Sequence, residues 1–285
     1  MIQRIFFLKV EGCGNDFIVL EDIGLSPDSW QILSRKMCDR HFGIGSDGLM
    51  LLPSNPNPET KIPVRMFNPD GSDMGMCGNG IRCICRYLCV KEFVATSEFT
   101  LYFDVMGREI ICSSDDQAHN VRVNMGAPSF RPEDLPIRTD KPATDFNLAL
   151  GERNFRCSAL SMGNPHCVIP VDSFDDLSIE SLGPMIENHP LFPKRTNVEF
   201  VVVKAPDYLI LRVWERGAGQ TLACGSGACA SLVAMNTLGF CKGTAQIELL
   251  GGKVLVEWGG EDKEVFLTGP ANEVFEGFYN FETFK

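Results

Sequence analysis

The sequence lacks three features that would assign it quickly to a common class of protein. No apolar run reaches the 18 or so residues that a membrane-spanning helix needs. Positive charge is not in excess: the formal net charge is −11, which argues against nucleic acid or an anionic membrane as the main partner. The paired Cys-x2-Cys spacing of zinc sites is also missing. These absences exclude some partners but do not identify one.

Twelve cysteines are present, which would suit a secreted disulfide scaffold in a shorter chain. The first residues, MIQRIFFLKVEGCGNDF, alternate in polarity and then become acidic and glycine-rich, so they predict a strand and not an export signal. Without such a signal we expect reduced thiols and a cytoplasmic protein. Most of the cysteines have apolar neighbours and are expected to pack as small hydrophobic side chains.

The chain repeats a pattern of its first half in its second half. RMFNPDGSDMGMCGNG, which begins at Arg65, matches RVWERGAGQTLACGSG, which begins at Arg212, with every match 147 positions further on. Both segments end in Cys-Gly-x-Gly, at Cys77 and Cys224, and a helix-like stretch follows each, at 81–90 and 228–238. A constant offset over many positions indicates an internal repeat.

The repeat predicts two similar domains. Asn15 in GCGNDFIVL corresponds to Asn164 in SMGNPHCVI, and two alternating β-type runs around a glycine turn end each half. We predict an α+β fold of two pseudo-symmetric, mostly β, barrel-like domains, each around a central helix. The first domain would comprise residues 1–125, completed by 270–285, and the second residues 126–269.

A cysteine directly before a helix has an unusual environment. The first N–H groups of a helix lack internal partners and the helix dipole favours negative charge, so the pKa of a thiol is expected to fall there. Gly78 and Gly225 let a ligand approach the backbone, whose N–H groups bind anions. Cys77 and Cys224 thus each predict a reactive thiol beside a carboxylate cradle.

Two such thiols in one cleft between the domains would permit a two-base inversion. A carbon held between them loses a proton to a thiolate on one side and gains one from a thiol on the other. Neighbouring N–H groups would stabilise the developing enediolate-like charge, at about 3–4 kcal/mol per donor.

The two halves differ where a substrate would need distinct ends. Asn68 in the first half corresponds to Glu215, which is followed by Arg216. Glu215 would pair with an ammonium group and Arg216 would bind a second carboxylate through two hydrogen bonds. His166 follows the Asn164 turn closely enough to tune a thiol. Asn197, taken alone, is more readily a turn residue than a ligand-binding one.

At these residues the chain resembles the diaminopimelate epimerase family. The matching segments, in family order along nearly the whole chain, are GNDFIVL, FGIGSDGL, MFNPDGS, MCGNGIRC, SMGNPHCVIPVD, RTNVEF, WERGAGQTLACGSGACA and LTGPA. The resemblance implies an isomerase that needs no PLP or other cofactor, and no metal. It would interconvert LL- and meso-2,6-diaminopimelate, in lysine and peptidoglycan precursor biosynthesis, as a cytoplasmic homodimer.

The resemblance also implies a set of site residues. Cys77 and Cys224 would be the acid–base pair, and His166 and Glu215 would set the thiol pKa values. The reacting carboxylate would lie against Gly78, Asn79, Gly225 and Ser226. The substrate would be held by Asn15, Asn68, Asn164, Asn197, Glu215 and Arg216. Gly48 stands where some family members have a substrate-contacting glutamine, so that contact is not expected.

Three other interpretations compete. A proline racemase, hydroxyproline epimerase or hydroxyproline dehydratase on the same scaffold usually has His where this chain has Asn79, and lacks the Glu215-Arg216 pair. A metal or iron–sulfur protein would use Cys77, Cys83, Cys85 and Cys89, but this spacing fits no common cluster, and the second half does not repeat it. A phosphate loop at Gly78-Asn79-Gly80 lacks the Lys-Ser/Thr ending.

Overall fold

The structure is a computed structural model that describes residues 2–139, 143–175 and 177–282. The helices are α1 (Pro27–Cys38), α2 (Gly78–Val90), α3 (Ile179–Glu187) and α4 (Gly225–Thr237). The strands are β1 (Ile2–Gly12), β2 (Asn15–Glu21), β3 (Gly48–Leu52), β4 (Ile62–Phe67), β5 (Phe99–Val105), β6 (Arg108–Ser114), β7 (Asn120–Gly126), β8 (Phe146–Leu150), β9 (Arg153–Ser161), β10 (Pro165–Pro170), β11 (Asn197–Ala205), β12 (Tyr208–Glu215), β13 (Gly219–Gln220), β14 (Thr244–Leu249), β15 (Gly252–Trp258), β16 (Val265–Pro270) and β17 (Asn272–Glu282).

The chain divides into two compact units. The first unit contains Met1–Val123 and Gly269–Lys285, and the second contains Asn124–Thr268. The division falls inside β7 and β16, so the last strand of the chain belongs to the first unit. There β17 pairs antiparallel with β1 along nearly the full length of both strands, which ties the two ends of the chain together.

The two units share one strand topology, down to the register. In the first unit β2 runs parallel to β3, and Phe17 lies opposite Gly48. In the second unit β10 runs parallel to β11, and His166 lies opposite Asn197. The next strand is antiparallel in both units, β4 against β3 and β12 against β11. The repeat found in the sequence is therefore a repeat of hydrogen-bonded pairs, and it matches structural positions between the units.

A helix packs against the strands in each unit, as the repeat predicts. In α4 every side chain from Gly227 to Met235 is buried, which is typical of a helix inside a core. In α2 the buried set includes the charged side chain of Arg82. Both helices begin three residues before the expected starts at Ile81 and Ala228, because the glycine-containing segments after the cysteines are already helical. The predicted fold, α+β with two similar, mostly β halves each around a helix, is confirmed.

Helix α1 begins as its sequence predicts. The Ser26 hydroxyl accepts a hydrogen bond from the Ser29 backbone N–H, and Pro27 is the first helical residue, where its missing N–H costs nothing. The buried face of α1, including Trp30, Leu33 and Met37, packs in the core of the first unit.

Candidate active site

Both candidate thiols cap the helices that follow them. Cys77 precedes α2 with φ −126° and ψ 111°, and Cys224 precedes α4 with φ −128° and ψ 110°. The Cys77 Sγ accepts a hydrogen bond from the Gly80 N–H at 3.5 Å, and the Cys224 Sγ accepts one from the Gly227 N–H at 3.4 Å. Each sulfur therefore lies at the positive end of a helix, directed at N–H groups that would stabilise a thiolate.

Asn15, Cys77 and Asn79 form what we call the N-terminal thiol site. The Asn79 Nδ2 donates to the Asn15 Oδ1 at 3.1 Å, and the Asn15 Nδ2 donates to the Asp47 Oδ2 at 2.7 Å. Behind them, Arg82 is fully buried and its Nη1 donates to the Asn79 Oδ1 at 2.8 Å. Arg82 and Asp47 thus fix the orientation of both amides, a role that the sequence analysis missed.

A network of charged side chains connects to this site through Asp47, which accepts the hydrogen bond from Asn15. The Lys9 Nζ lies 2.6 Å from the Asp16 Oδ2, and the Arg40 Nη2 lies 2.7 Å from both the Asp16 Oδ1 and the Asp47 Oδ1. Burial acts to raise the pKa of Asp16, but hydrogen bonds from Arg40 and Lys9 outweigh it and lower the pKa to about 2. Asp16 is therefore charged at neutral pH and neutralises the buried Lys9.

Replacing Asp16 by asparagine is expected to destabilise the protein in a pH-dependent way. A carboxylate whose pKa is 3.8 unfolded and about 2 folded contributes about 2 kcal/mol at pH 7. That contribution is present above the unfolded pKa and is lost as the pH falls through the folded one. Denaturant unfolding of wild type and Asp16→Asn should therefore differ at pH 7, and the difference should disappear only as the pH falls from 3.8 to about 2; a constant difference would contradict the assignment.

The structure also places three other first-unit residues that the sequence analysis named, Asn68, Gly48 and Gly78. Asn68 lies in the turn after β4, where its Nδ2 donates to the Ser72 Oγ at 2.9 Å. Gly48 has no room for a side chain, since a Cβ there would lie 2.4 Å from the Met74 Cε and 2.8 Å from the Phe67 carbonyl oxygen. Gly78 is the first residue of α2 and is buried.

Asn164, His166, Cys224 and Ser226 form the C-terminal thiol site. The His166 Nε2 lies 2.9 Å from the Asn164 Oδ1, and the Asn164 Nδ2 donates to the Ser226 Oγ at 3.3 Å. The Ser226 Oγ in turn lies 3.6 Å from the Cys224 Sγ. These contacts form a continuous chain of hydrogen-bonding groups that runs from a buried histidine to the thiol.

The expectation that the helix lowers the thiol pKa is wrong for Cys224. Burial raises its pKa well above the ordinary value, and the charges of Glu215 and Glu199 raise it further. Hydrogen bonds from Ser226 and Gly227 act in the opposite direction but do not outweigh burial. Cys224 therefore rests as a protonated thiol, the state required of the proton donor in a two-base reaction.

Glu215 is the last residue of β12, and Arg216 follows it. Asn197 contacts the backbone of Arg216. The Glu215 Oε1 accepts a hydrogen bond from the Thr221 Oγ1 at 2.6 Å. The Asn197 Oδ1 accepts from the Arg216 backbone N–H at 2.9 Å, and its Nδ2 donates to the Pro165 carbonyl oxygen at 2.8 Å. The amide of Asn197 thus bonds within the protein and orients Arg216, whose exposed guanidinium donates to the Lys194 carbonyl oxygen at 3.3 Å. Gly225 opens α4.

Cys13, a further cysteine that lies two positions before Asn15 in the sequence, is buried. Cys13 occupies the turn between β1 and β2 with φ 57°, and burial raises the pKa of its thiol. Over residues 2–139, 143–175 and 177–282 no three His, Cys, Asp or Glu side chains are grouped as a metal site requires. Burial raises the thiol pKa of both Cys83 and Cys85 far above the ordinary value.

The chain is similar in sequence to enzymes of one family. A family model described as diaminopimelate epimerase matches residues 7–131 and 158–274. A diaminopimelate epimerase of Heliobacterium modesticaldum is 44% identical over 277 residues, covering 95% of this chain and 98% of that protein. One from Pelotomaculum thermopropionicum is 42% identical over 283 residues, covering 97% and 99%.

Solved structures with low sequence identity share the fold. A hydroxyproline epimerase from Agrobacterium vitis has a TM-score of 0.70 at 14% identity, covering 98% of this chain and 93% of its own. A PhzF-family phenazine biosynthesis protein from Bacillus anthracis has a TM-score of 0.68 at 15% identity, covering 97% and 99%. At this identity the likeness concerns architecture and does not extend to a substrate.

Proposed function

We propose, because the chain belongs to the diaminopimelate epimerase family, that it interconverts LL- and meso-2,6-diaminopimelate. The observation that carries the proposal is the pair of N-capping thiols, Cys77 and Cys224, whose backbone angles agree within 2°. Such a matched pair is what a two-base inversion requires, and nothing in that chemistry calls for PLP or a metal.

The reaction is a proton transfer at the α-carbon of one amino-acid end. A thiolate at one cysteine removes the α-proton, and the thiol at the other delivers a proton to the opposite face. The N–H groups at the start of α2 and α4, around Gly78, Asn79, Gly225 and Ser226, receive the α-carboxylate and stabilise charge that develops on it. After each turnover the protonation states of the two cysteines are exchanged.

The distal end of the substrate is bound by charge and by amides. Glu215, held by Thr221, pairs with the ammonium group, and the exposed guanidinium of Arg216 pairs with the carboxylate. Asn15 and Asn164, each fixed by a neighbouring side chain, offer their remaining donors and lone pairs. Asn68 and Asn197 complete the substrate-holding set, and His166 and Glu215 influence the thiols.

The proposal extends to the cellular location, the pathway and the oligomeric state of the enzyme. We place the enzyme in the cytoplasm, in the biosynthesis of lysine and peptidoglycan precursors, and as a homodimer. Exposed apolar side chains on β17, at Val274, Phe275 and Phe278, offer surface for such an association. Among the helices in the described ranges none is long and apolar enough to span a membrane. Light scattering of the purified protein would reveal a mass twice that of the chain if the dimer forms.

Incubation of the purified protein with LL-diaminopimelate in D2O tests the activity. We expect the meso isomer to appear with deuterium at the inverted α-carbon, without added PLP or metal. Proline and hydroxyproline serve as matched negative substrates. Turnover of either of these, with diaminopimelate unchanged, would instead assign the chain to the racemase and epimerase activities that compete on this scaffold.

A further inference from the structure

The equivalent positions of the two units carry very different side chains behind the thiols. The shared register makes His166 the counterpart of Phe17, since each faces the equivalent position, Asn197 or Gly48, of the next strand. Two residues further along β11 and β3, Glu199 is the counterpart of Met50. The first unit thus has an apolar pair where the second has two ionisable side chains.

Glycines at the helix starts show how close these side chains approach. A Cβ on Gly80 would lie 2.6 Å from the Met50 Cε, and a Cβ on Gly227 would lie 2.9 Å from the Glu199 Oε1. The same point at Gly227 lies 3.3 Å from the Cys224 Sγ. The carboxylate of Glu199 and the thiol of Cys224 therefore both approach the same glycine.

Glu199 is a fully buried acid with one partner. Its Oε1 lies 2.7 Å from the His166 Nδ1, and both side chains have zero exposure. Its Oε2 is buried and has no hydrogen-bond partner within the described residues. Because an unpaired buried carboxylate oxygen is costly, retention of this group calls for a role beyond packing.

Resting on the function proposed above, we propose that Glu199 is a positioning residue that fixes the hydrogen-bond chain ending at Cys224. Glu199 and His166 hold one proton between them, which leaves the His166 Nε2–H to donate to the Asn164 Oδ1. The Asn164 Nδ2 then donates to the Ser226 Oγ, and the Ser226 hydroxyl proton is left to point at the Cys224 sulfur. Glu199 touches neither the reacting atoms nor the substrate.

The assignment distinguishes the surroundings of Cys224 from those of Cys77. The ionisable groups around Cys224 are Glu215 at the end of β12, Glu199 on β11 and His166 on β10, and Cys167 on β10 is also influenced by Glu199. The hydrogen-bond chain that begins at Glu199 and His166 has no equivalent in the first unit, where Met50 and Phe17 occupy the corresponding positions. The two cysteines, although they occupy equivalent positions in the two units, therefore have different surroundings.

The test is a site-resolved titration of the thiols. With [3-13C]cysteine in the full chain, the Cys224 resonance is identified by its absence from Cys224→Ala, and Cys77 is identified in the same way. In Glu199→Gln we expect Cys224 to titrate at higher pH than in wild type, because the Ser226 hydroxyl that stabilises its thiolate is no longer held toward the sulfur, while the Cys77 titration is unchanged. We also expect kcat to fall about 10- to 100-fold with KM little altered, as for other outer partners of functional side chains.

Two further variants keep the outcome interpretable. Glu187→Gln removes another buried carboxylate of the second unit, which bonds to Trp214 and Arg195, and should leave the Cys224 titration unchanged. The double variant His166→Phe with Glu199→Met copies the apolar pair of the first unit; it is expected to fold and to raise the Cys224 titration as well. An unchanged Cys224 titration in either folded Glu199 variant would overturn the assignment.

The proposed function and this assignment fail in different ways. If wild type converts diaminopimelate but the Cys224 titration does not respond to Glu199, only the positioning role is lost. If wild type has no epimerase activity while the titration shifts as expected, the function is wrong and the coupling between Glu199 and Cys224 stands.

Discussion

Alanine at Cys77 or at Cys224 is expected to abolish epimerisation. In the proposed mechanism each substitution removes one of the two groups that exchange a proton with the α-carbon, and a general acid or base typically contributes 10²- to 10⁴-fold. Because inversion needs both groups in every turnover, the two single variants should be equally inactive. The loss of activity is measured as the rate at which the meso isomer forms from the LL isomer, with the isomers quantified by chiral chromatography.

A third cysteine provides the control for these variants. Cys241 is buried, its Sγ donates to the Leu232 carbonyl oxygen at 3.8 Å, and it lies after α4, away from the helix start. Cys241→Ala is therefore expected to lower stability by an amount ordinary for a small core truncation while epimerisation continues. Full activity in Cys77→Ala or Cys224→Ala would remove the two-base mechanism.

Adding one methyl group at Gly227 is expected to have the second largest effect. The new Cβ would lie 2.9 Å from the Glu199 Oε1 and 3.3 Å from both the Cβ and the Sγ of Cys224. Glu199 is held by His166 in a fully buried position, so the strain falls on the cysteine. We expect Gly227→Ala to lower kcat at least about 100-fold, since small displacements of reacting groups cost that much.

The equivalent glycine of the first unit is the matched comparison. A Cβ on Gly80 would meet the Met50 Cε at 2.6 Å and its Sδ at 3.0 Å, the flexible end of an unbranched side chain that can move. Gly80→Ala is therefore expected to lose less activity than Gly227→Ala. Equal losses in the two variants, measured as kcat on folded protein, would show that Glu199 does not hold its position as tightly as its contacts indicate.

The sequence was sufficient to predict the repeat, the fold class and the presence of a helix after each thiol, although not its first three residues. Cys-Gly-x-Gly at a constant offset is a local pattern, and capping depends on local residues, so Cys77 and Cys224 could be placed without a structure. The same reasoning failed on the pKa of Cys224, because burial depends on strands that are distant in the sequence. A helix start alone gives the sign for an exposed thiol only.

Glu199 shows why part of the site was missed. It stands in RTNVEFVVV, where a charged residue inside an apolar strand is a legible signal of a buried acid. Its partner His166 is 33 positions away, and the pair forms only because β10 and β11 run parallel in a particular register. The sequence analysis missed Arg82 and Asp47 for a similar reason, since their role depends on hydrogen bonds to the side chains of Asn79 and Asn15.

The position of β17 has a consequence for synthesis on the ribosome. The second unit is one continuous segment, whereas the first unit includes the last strand of the chain, which pairs with β1. During translation the N-terminal unit therefore waits with an open edge at β1 until the final residues emerge, while the C-terminal unit already has all its strands. Domains usually mature in the order in which they are made, whereas here we expect the C-terminal unit to complete its set of strands first.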